Sequence, residues 1–174
     1  MKIQIIGFSG SGKSTLAQLL SKYYNIPCLH LDNVHFYGDW QIRTVEEENK
    51  IVNKFLEDNS EWVIDGNYSK ISPSRFFESD ITIYLNYNRL YCYKMCKKRY
   101  IENKNKSRES NPCIEKFDKE FKNWLLYKGR TIKRKKIILS NFNKTQGKKL
   151  MFKNKKQLEK WLISQHIIEG EYNV

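Results

Sequence analysis

A chain of 174 residues, 40% hydrophobic and 29% charged, is sized for one domain with a sizeable core and is too short to hold a second large one. It has no run of 18 apolar residues, and its amino terminus is patterned as a core strand; this excludes a membrane span and a signal peptide and predicts a soluble, cytoplasmic protein. The net charge of +13 is unevenly placed, since residues 94–160 carry 23 Lys+Arg against 6 Asp+Glu while residues 1–93 carry 9 against 11, so any nonspecific attraction to nucleic acid belongs to the second half.

The chain opens with Lys2-Ile3-Gln4-Ile5-Ile6, a β-branched run that breaks into Gly7-Phe8-Ser9-Gly10-Ser11-Gly12-Lys13-Ser14. This fits G-x-x-x-x-G-K-[ST], the phosphate-binding loop between a buried strand and an amphipathic helix. Gly7, Gly10 and Gly12 permit positive φ and close backbone approach, so that successive N–H groups face a phosphate. Lys13 supplies charge to the β/γ oxygens, Ser14 a hydroxyl for Mg²⁺, and Ser9, Ser11 and Thr15 complete the loop around ATP. The helix that follows is expected to bury Leu16, Leu20, Tyr23 and Tyr24 and to stop at Asn25-Ile26-Pro27.

Cys28-Leu29-His30-Leu31-Asp32 alternates, which predicts a second strand delivering Asp32 to the carboxyl edge of a parallel sheet, where ligands bind. His30 shares parity with Asp32 and either supports it or is a hydrogen-bonded structural residue. Residues 33–43 are aromatic (His35, Phe36, Tyr37, Trp40) and close with Arg43; this loop either holds an acceptor or packs over the sheet edge. Thr44 and Glu47 form a capping box for a helix with a stripe of Ile51, Val52, Phe55 and Leu56, and Glu46 to Glu48 complement its dipole. Glu61 to Gly66 reads as a strand ending in Asp65, a carboxylate placed to orient water on Mg²⁺ or to hold the metal.

Beyond Asn67-Tyr68, Ser72-Pro73 is expected to cap a short helix carrying Arg75. Asp80 to Leu85 is a strand, followed by a long helix through Tyr100 with Arg89 and Arg99 at its two ends. Residues 102–114 are polar and without apolar period, which predicts a mobile lid containing Arg108. Helix resumes from Glu115 to Lys128 with Phe117, Phe121, Trp124 and Leu125 on one face. Residues 132–142 suit a helix better than a strand, because Lys149 to Phe152 makes the better last strand before an Asn154-capped helix, and Gly170 to Val174 are expected to fray. The cysteines (Cys28, Cys92, Cys96, Cys113) contain no C-x-x-C, consistent with buried, reduced thiols.

The phosphate loop, the His30-Leu31-Asp32 strand with Trp40 after it, the Trp62-Val63-Ile64-Asp65-Gly66-Asn67-Tyr68 block and the Arg108…Cys113-x-Glu115…Phe121-x-x-Trp124 string together resemble the adenylate-kinase-like proteins known as DNA topology modulation (FlaR-related) proteins, within the nucleoside monophosphate kinase-like superfamily. The resemblance runs from Met1 to about Leu162. It implies a three-layer α/β P-loop fold with a five-stranded parallel sheet, ATP and Mg²⁺ on the loop, and a short arginine-bearing lid. True adenylate kinases follow Asp-Gly with Phe-Pro-Arg, whose arginine grips the acceptor phosphate; here Asp65-Gly66-Asn67-Tyr68-Ser69 has serine there, which leaves Arg43 or Arg75 to supply that charge.

A small phosphotransferase is the first expectation. Arg99 and Arg108 close on the transferring group, Arg89 contacts the nucleotide, and Asp32, Trp40, Arg43, Asn67, Tyr68 and Arg75 surround a nucleotide or hydroxyl-bearing acceptor. The alternative is a nucleic-acid-associated ATPase or regulator using the basic 94–160 region. A GTPase-like switch is weaker, since no Asn-Lys-x-Asp occurs. A monomer or weak dimer with no membrane partner is expected.

Overall fold

The structure, a computed structural model, describes residues 1–169, so the expectation for residues 170–174 falls outside it. Five strands, β1 (Lys2–Gly7), β2 (Cys28–His30), β3 (Trp62–Asp65), β4 (Ile81–Leu85) and β5 (Lys148–Phe152), form one sheet in the order β2-β3-β1-β4-β5. Every pairing is parallel. Parallel strands need crossovers that cover both faces, which is why β1, β3 and β4 are buried along nearly their whole length and read as continuous apolar runs. With β1 central, its carboxyl end emerges between those of β3 and β4: Ile5 pairs with Asp65, and Gly7 with Leu85.

The helices are α1 (Lys13–Tyr24), α2 (Leu31–His35), α3 (Val45–Asp58), α4 (Arg75–Glu78), α5 (Arg89–Glu102), α6 (Lys119–Leu126), α7 (Ile132–Lys144) and α8 (Lys155–Ser164). Ile3, Ile5, Leu16, Leu20, Ile83, Phe142 and Leu158 belong to the main core, while Leu31, Val34, Val52, Trp62 and Ile71 form a second cluster beside α2 and α3. Each fully buried aliphatic side chain contributes about 1.5–3 kcal/mol of transfer free energy. β1 also buries a polar residue: Gln4 Nε2 donates to the carbonyls of Ile5, Ile64 and Gly66, and Gln4 Oε1 accepts from Arg75 Nε at 3.0 Å.

Thr44 and Glu47 make the expected capping box, residues 132–142 are helical, and Asn154 caps α8. Other expectations are corrected. The second strand stops at His30, because its neighbour β3 ends at Asp65, the last residue with which β2 pairs; Leu31 then begins a single helical turn, and Asp32 sits on α2 rather than on a strand tip. Pro73 does not open α4. Ser72 holds φ +38°, and the turn there delays the helix to Arg75. α6 starts at Lys119 behind an Asp118 cap, four residues later than expected.

Tyr23 and Ile51 face solvent, and Ala17 rather than Tyr23 completes the buried stripe of α1. Glu48 does more than complement a dipole: it is buried and accepts from His35 Nδ1 at 2.5 Å. α5 runs past Tyr100 to Glu102, with Arg89 as its first residue and Arg99 in its last turn, so the two arginines stand at its ends as expected. Residues 103–118 carry no helix or strand. They are nonetheless tethered, through Asn33 Nδ2 to Glu109 O (2.6 Å), Gln18 Nε2 to Glu109 Oε2 (2.9 Å) and Trp40 Nε1 to Ile114 O (3.2 Å), so the expected lid lies docked against α1, α2 and the 33–43 loop. Among the described residues no helix is long and apolar enough to cross a membrane.

Candidate active site

The loop from Gly7 to Ser14 joins β1 to α1 at the carboxyl edge of the sheet. Gly10 and Gly12 hold φ of +78° and +89°, the left-handed region that disfavours a Cβ. Gly12 occupies the cap position of α1 with no side-chain acceptor, which leaves the first-turn N–H groups of the helix facing the loop. The Phe8 carbonyl accepts from Ser11 N at 3.1 Å and from Lys13 Nζ at 3.3 Å, and Ser11 Oγ is buried without a hydrogen-bond partner. Backbone donors, a lysine and an orphaned hydroxyl in one cradle fit a bound polyphosphate.

Ser14 Oγ donates to Asp65 Oδ2 at 2.9 Å, so the two residues expected at the metal are side by side. Magnesium keeps several waters and takes few protein ligands, and this hydroxyl–carboxylate pair suits it. Among the described residues there is no group of three or more His, Cys, Asp and Glu able to hold a metal by themselves. Asp65 Oδ1 is bonded in turn to His30 Nδ1, and His30 Nε2 lies 3.8 Å from Cys28 Sγ. His30 therefore braces Asp65, not Asp32. Burial of the ring opposes its charge, but the hydrogen bonds and charges of Asp65 and Cys28 outweigh this and raise its pKa to about 10.

The loop opens into a cleft of about 570 Å³, walled by α2, Tyr68, α5, α6 and the docked segment. Asp32, Phe36, Trp40 and Tyr68 line one end. Tyr68 donates its hydroxyl to Asp32 Oδ1 at 2.7 Å, while burial and the Asp32 charge push its own pKa strongly upward, so it remains a neutral donor. The Phe36 and Trp40 rings meet edge to face at 5.2 Å, and Trp40 is pinned by its backbone N–H to Cys113 Sγ at 3.3 Å.

Three residues expected at the acceptor are engaged elsewhere and do not line the cleft. Arg43 NH1 donates to the carbonyls of Asn33, Val34 and Phe36 at 2.8–2.9 Å and so closes the 33–43 loop on itself. Arg75 is fully buried and donates to Gln4, Ile71, Ser72 and Tyr68. Burial pulls its pKa down to about 9, which leaves it a cation at neutral pH. Asn67 straps β3 to the loop, accepting from Gly7 N at 2.9 Å and donating to Gly7 O at 2.7 Å. Arg89 is likewise outside the cleft, exposed on α5 with NH1 on the Leu126 carbonyl at 3.2 Å.

The wall formed by α5 and the docked segment carries Arg99 and Arg108 into the same cleft as Lys13 and Ser14, with Lys98 and Asn111, which sequence reasoning did not single out. Phe121 and Trp124, expected as a buried stripe, are only partly buried and line this wall with Tyr91 and Met95. Their helical spacing is the same for a core face and a cleft face, so periodicity alone does not separate the two. Arg130 was also missed. Its guanidinium stacks 4.0 Å from the Phe8 ring centroid and donates to Tyr87 O at 2.9 Å, bracing the loop from outside. A larger open hollow of about 740 Å³ between Ser69 and the basic face of α7 shares no residue with the cleft.

No family model matches the sequence, and no curated protein matches it. Solved structures do. Shikimate kinase from Bacteroides thetaiotaomicron aligns over 95% of this chain and 96% of its own at 16% identity and a TM-score of 0.54. Deoxyadenosine kinase from M. mycoides aligns over 97% and 100% at 16% identity and 0.50, and an uncharacterized protein from Eubacterium ventriosum over 96% and 98% at 18% and 0.50. These likenesses, at 16–18% identity, show the fold and do not extend to the narrower resemblance to DNA topology modulation proteins. The chain has the α/β fold of the P-loop kinases, with a five-stranded all-parallel sheet.

Proposed function

We propose that this protein is a Mg²⁺- and ATP-dependent kinase that phosphorylates a hydroxyl group of a small molecule carrying a flat or ring-shaped portion. One observation carries the choice of acceptor: the end of the cleft facing the loop presents Asp32 with the Tyr68 hydroxyl and aromatic rings, while Arg43 and Arg75, the two arginines that were to grip an acceptor phosphate, are turned into the protein. A monophosphate is already ionised at pH 7 and needs cations; a hydroxyl needs a carboxylate to take its proton. Asp32 is that carboxylate. Tyr68 orients it, and Phe36 and Trp40 offer apolar faces to the rest of the acceptor.

On the donor side the loop amides and Lys13 would hold the β- and γ-phosphates, and Ser14 with Asp65 would hold Mg²⁺, which neutralises phosphate charge and fixes the geometry of transfer. Arg99 and Arg108 would meet charge developing on the transferring group. The docked segment 103–118 narrows the cleft and keeps water from competing with the acceptor. The test is an ADP-release screen with Mg-ATP over nucleosides, sugars, hydroxy acids and nucleoside monophosphates. Release dependent on hydroxyl acceptors and lost in Lys13→Ala supports the reading; release dependent only on monophosphates refutes it.

A further inference from the structure

Arg99 and Arg108 reach the cleft from different elements, α5 and the irregular segment after it, and one residue joins them. Glu115 Oε1 lies 2.5 Å from Arg108 Nε and 3.1 Å from Arg99 Nε, and its side chain is only 5% exposed. We propose that Glu115 is a positioning residue that holds both arginines by their Nε edges, so that their terminal nitrogens are presented to the phosphoryl group in flight. This takes the cleft to be the phosphotransfer site proposed above.

The contacts leave the far ends of the two guanidinium groups available. Arg108 uses Nε on Glu115 and NH1 on Ser110 Oγ at 2.9 Å, and its NH2 makes no hydrogen bond among the described residues. Arg99 Nε is close to Glu115 but lies off the line of a hydrogen bond, and its terminal nitrogens make none. Arg99 is thus drawn by charge without being saturated. A guanidinium has five donors in a fixed plane, so a carboxylate on its inner edge sets the direction of its outer edge.

Without that carboxylate, Arg99 and Arg108 would share the cleft with Lys13 and Lys98, and the carboxylates that also line it do not hold them: Glu102 pairs with Lys98 at 3.7 Å, Asp32 accepts from Tyr68, and among the described residues neither pairs with an arginine. Like charges near each other in a partly desolvated wall repel, and two flexible side chains would separate. Glu115 itself does not line the cleft, so its effect on substrates passes through the arginines.

The experiment uses the full chain with Mg²⁺ and follows the fluorescence of Trp40 and Trp124, both of which line the cleft. Two ligands are titrated: ADP, which reports the loop, and ADP with aluminium fluoride, which mimics the transferring group. In Glu115→Gln the side chain keeps its size and one acceptor but loses its charge, and the affinity for ADP–aluminium fluoride should fall about 10- to 100-fold, the range of a charge-assisted hydrogen bond. ADP affinity should stay within about threefold, less than half of one such bond. Glu115→Asp, which keeps the charge, should recover most of the loss. Should Glu115→Gln fail to fold, Glu115→Asp alone carries the test: its shorter side chain draws back from the two Nε edges and leaves a loss smaller than that expected of Glu115→Gln, measurable and confined to ADP–aluminium fluoride. Equal weakening of both ligands, or no selective weakening, overturns the role of Glu115. Absence of ADP binding by the wild type overturns the kinase reading and the role of Glu115 with it.

Discussion

Gly10 and Gly12 both hold positive φ within the phosphate loop, yet the structure assigns them different costs for gaining a methyl group. A Cβ on Gly12 would meet nothing within 4 Å, so Gly12→Ala bears only the conformational penalty of the left-handed region. That penalty is about 1–2 kcal/mol, reduced by the lower entropy of the unfolded alanine chain to a net of about 0.5–1.5 kcal/mol. A Cβ on Gly10 would strike the Cys92 carbonyl oxygen and lie 2.6 Å from Cys96 Sγ. The carbonyl belongs to the backbone of α5 and yields only if the helix shifts. Overpacking of this kind adds about 1–3 kcal/mol, for a total of about 2–4 kcal/mol. At about 2–4 °C per kcal/mol for a domain of this size, Gly10→Ala should lower Tm by roughly 5–15 °C and Gly12→Ala by roughly 1–6 °C. Thermal melts and urea titrations without nucleotide measure both. Equal destabilisation would show that α5 does not press on the loop as described, and the placement of Arg99 relative to Lys13 would fall with it.

Other outcomes follow from single contacts. Arg75→Met leaves the acceptors on Gln4, Tyr68, Ile71 and Ser72 without their donor and should destabilise the fold by about 2–4 kcal/mol in urea while changing nucleotide affinity less than about threefold; loss of binding in a fully stable variant would return Arg75 to the site. The charged His30–Asp65 pair has a raised folded-state pKa, so its contribution is complete below the unfolded histidine value of 6.5 and is lost as pH rises through about 10. The Tm difference between the nucleotide-free wild type and His30→Gln should therefore be largest below about pH 6.5, decline steadily above it and be lost near pH 10; a difference already gone between pH 6 and 7.5 contradicts the pairing. Asp32→Asn should lower kcat by about 10²–10⁴ with the KM for ATP unchanged, as loss of a general base does. A large rise in the KM for ATP would place Asp32 in the wrong half of the cleft.

The proposed donor half of the candidate site was legible because its pattern is local. Gly7 to Ser14 is one contiguous pattern whose backbone geometry follows from its own glycines, and Asp65 ends a strand that could be recognised as apolar. The acceptor half was less so. Arg43 and Arg75 look the same in sequence whether they face a ligand or satisfy buried carbonyls, and only the folded backbone shows the carbonyls of Asn33, Val34 and Phe36 converging on Arg43. Asp32 was placed on a strand because alternation extends past His30, whereas the ladder stops where β3 runs out of partners. Glu115 was hidden for a third reason: its significance lies in two arginines 7 and 16 positions away, a relation without a period.

The most direct test of the central claim, that the cleft joins a triphosphate to a hydroxyl acceptor, is ³¹P NMR of the product formed from Mg-ATP and whichever acceptor stimulates ADP release. A new phosphomonoester resonance without phosphorus–phosphorus coupling, absent in Lys13→Ala and strongly reduced in Asp32→Asn, is the expected result. A phosphoanhydride doublet, showing transfer onto an existing phosphate, would contradict it.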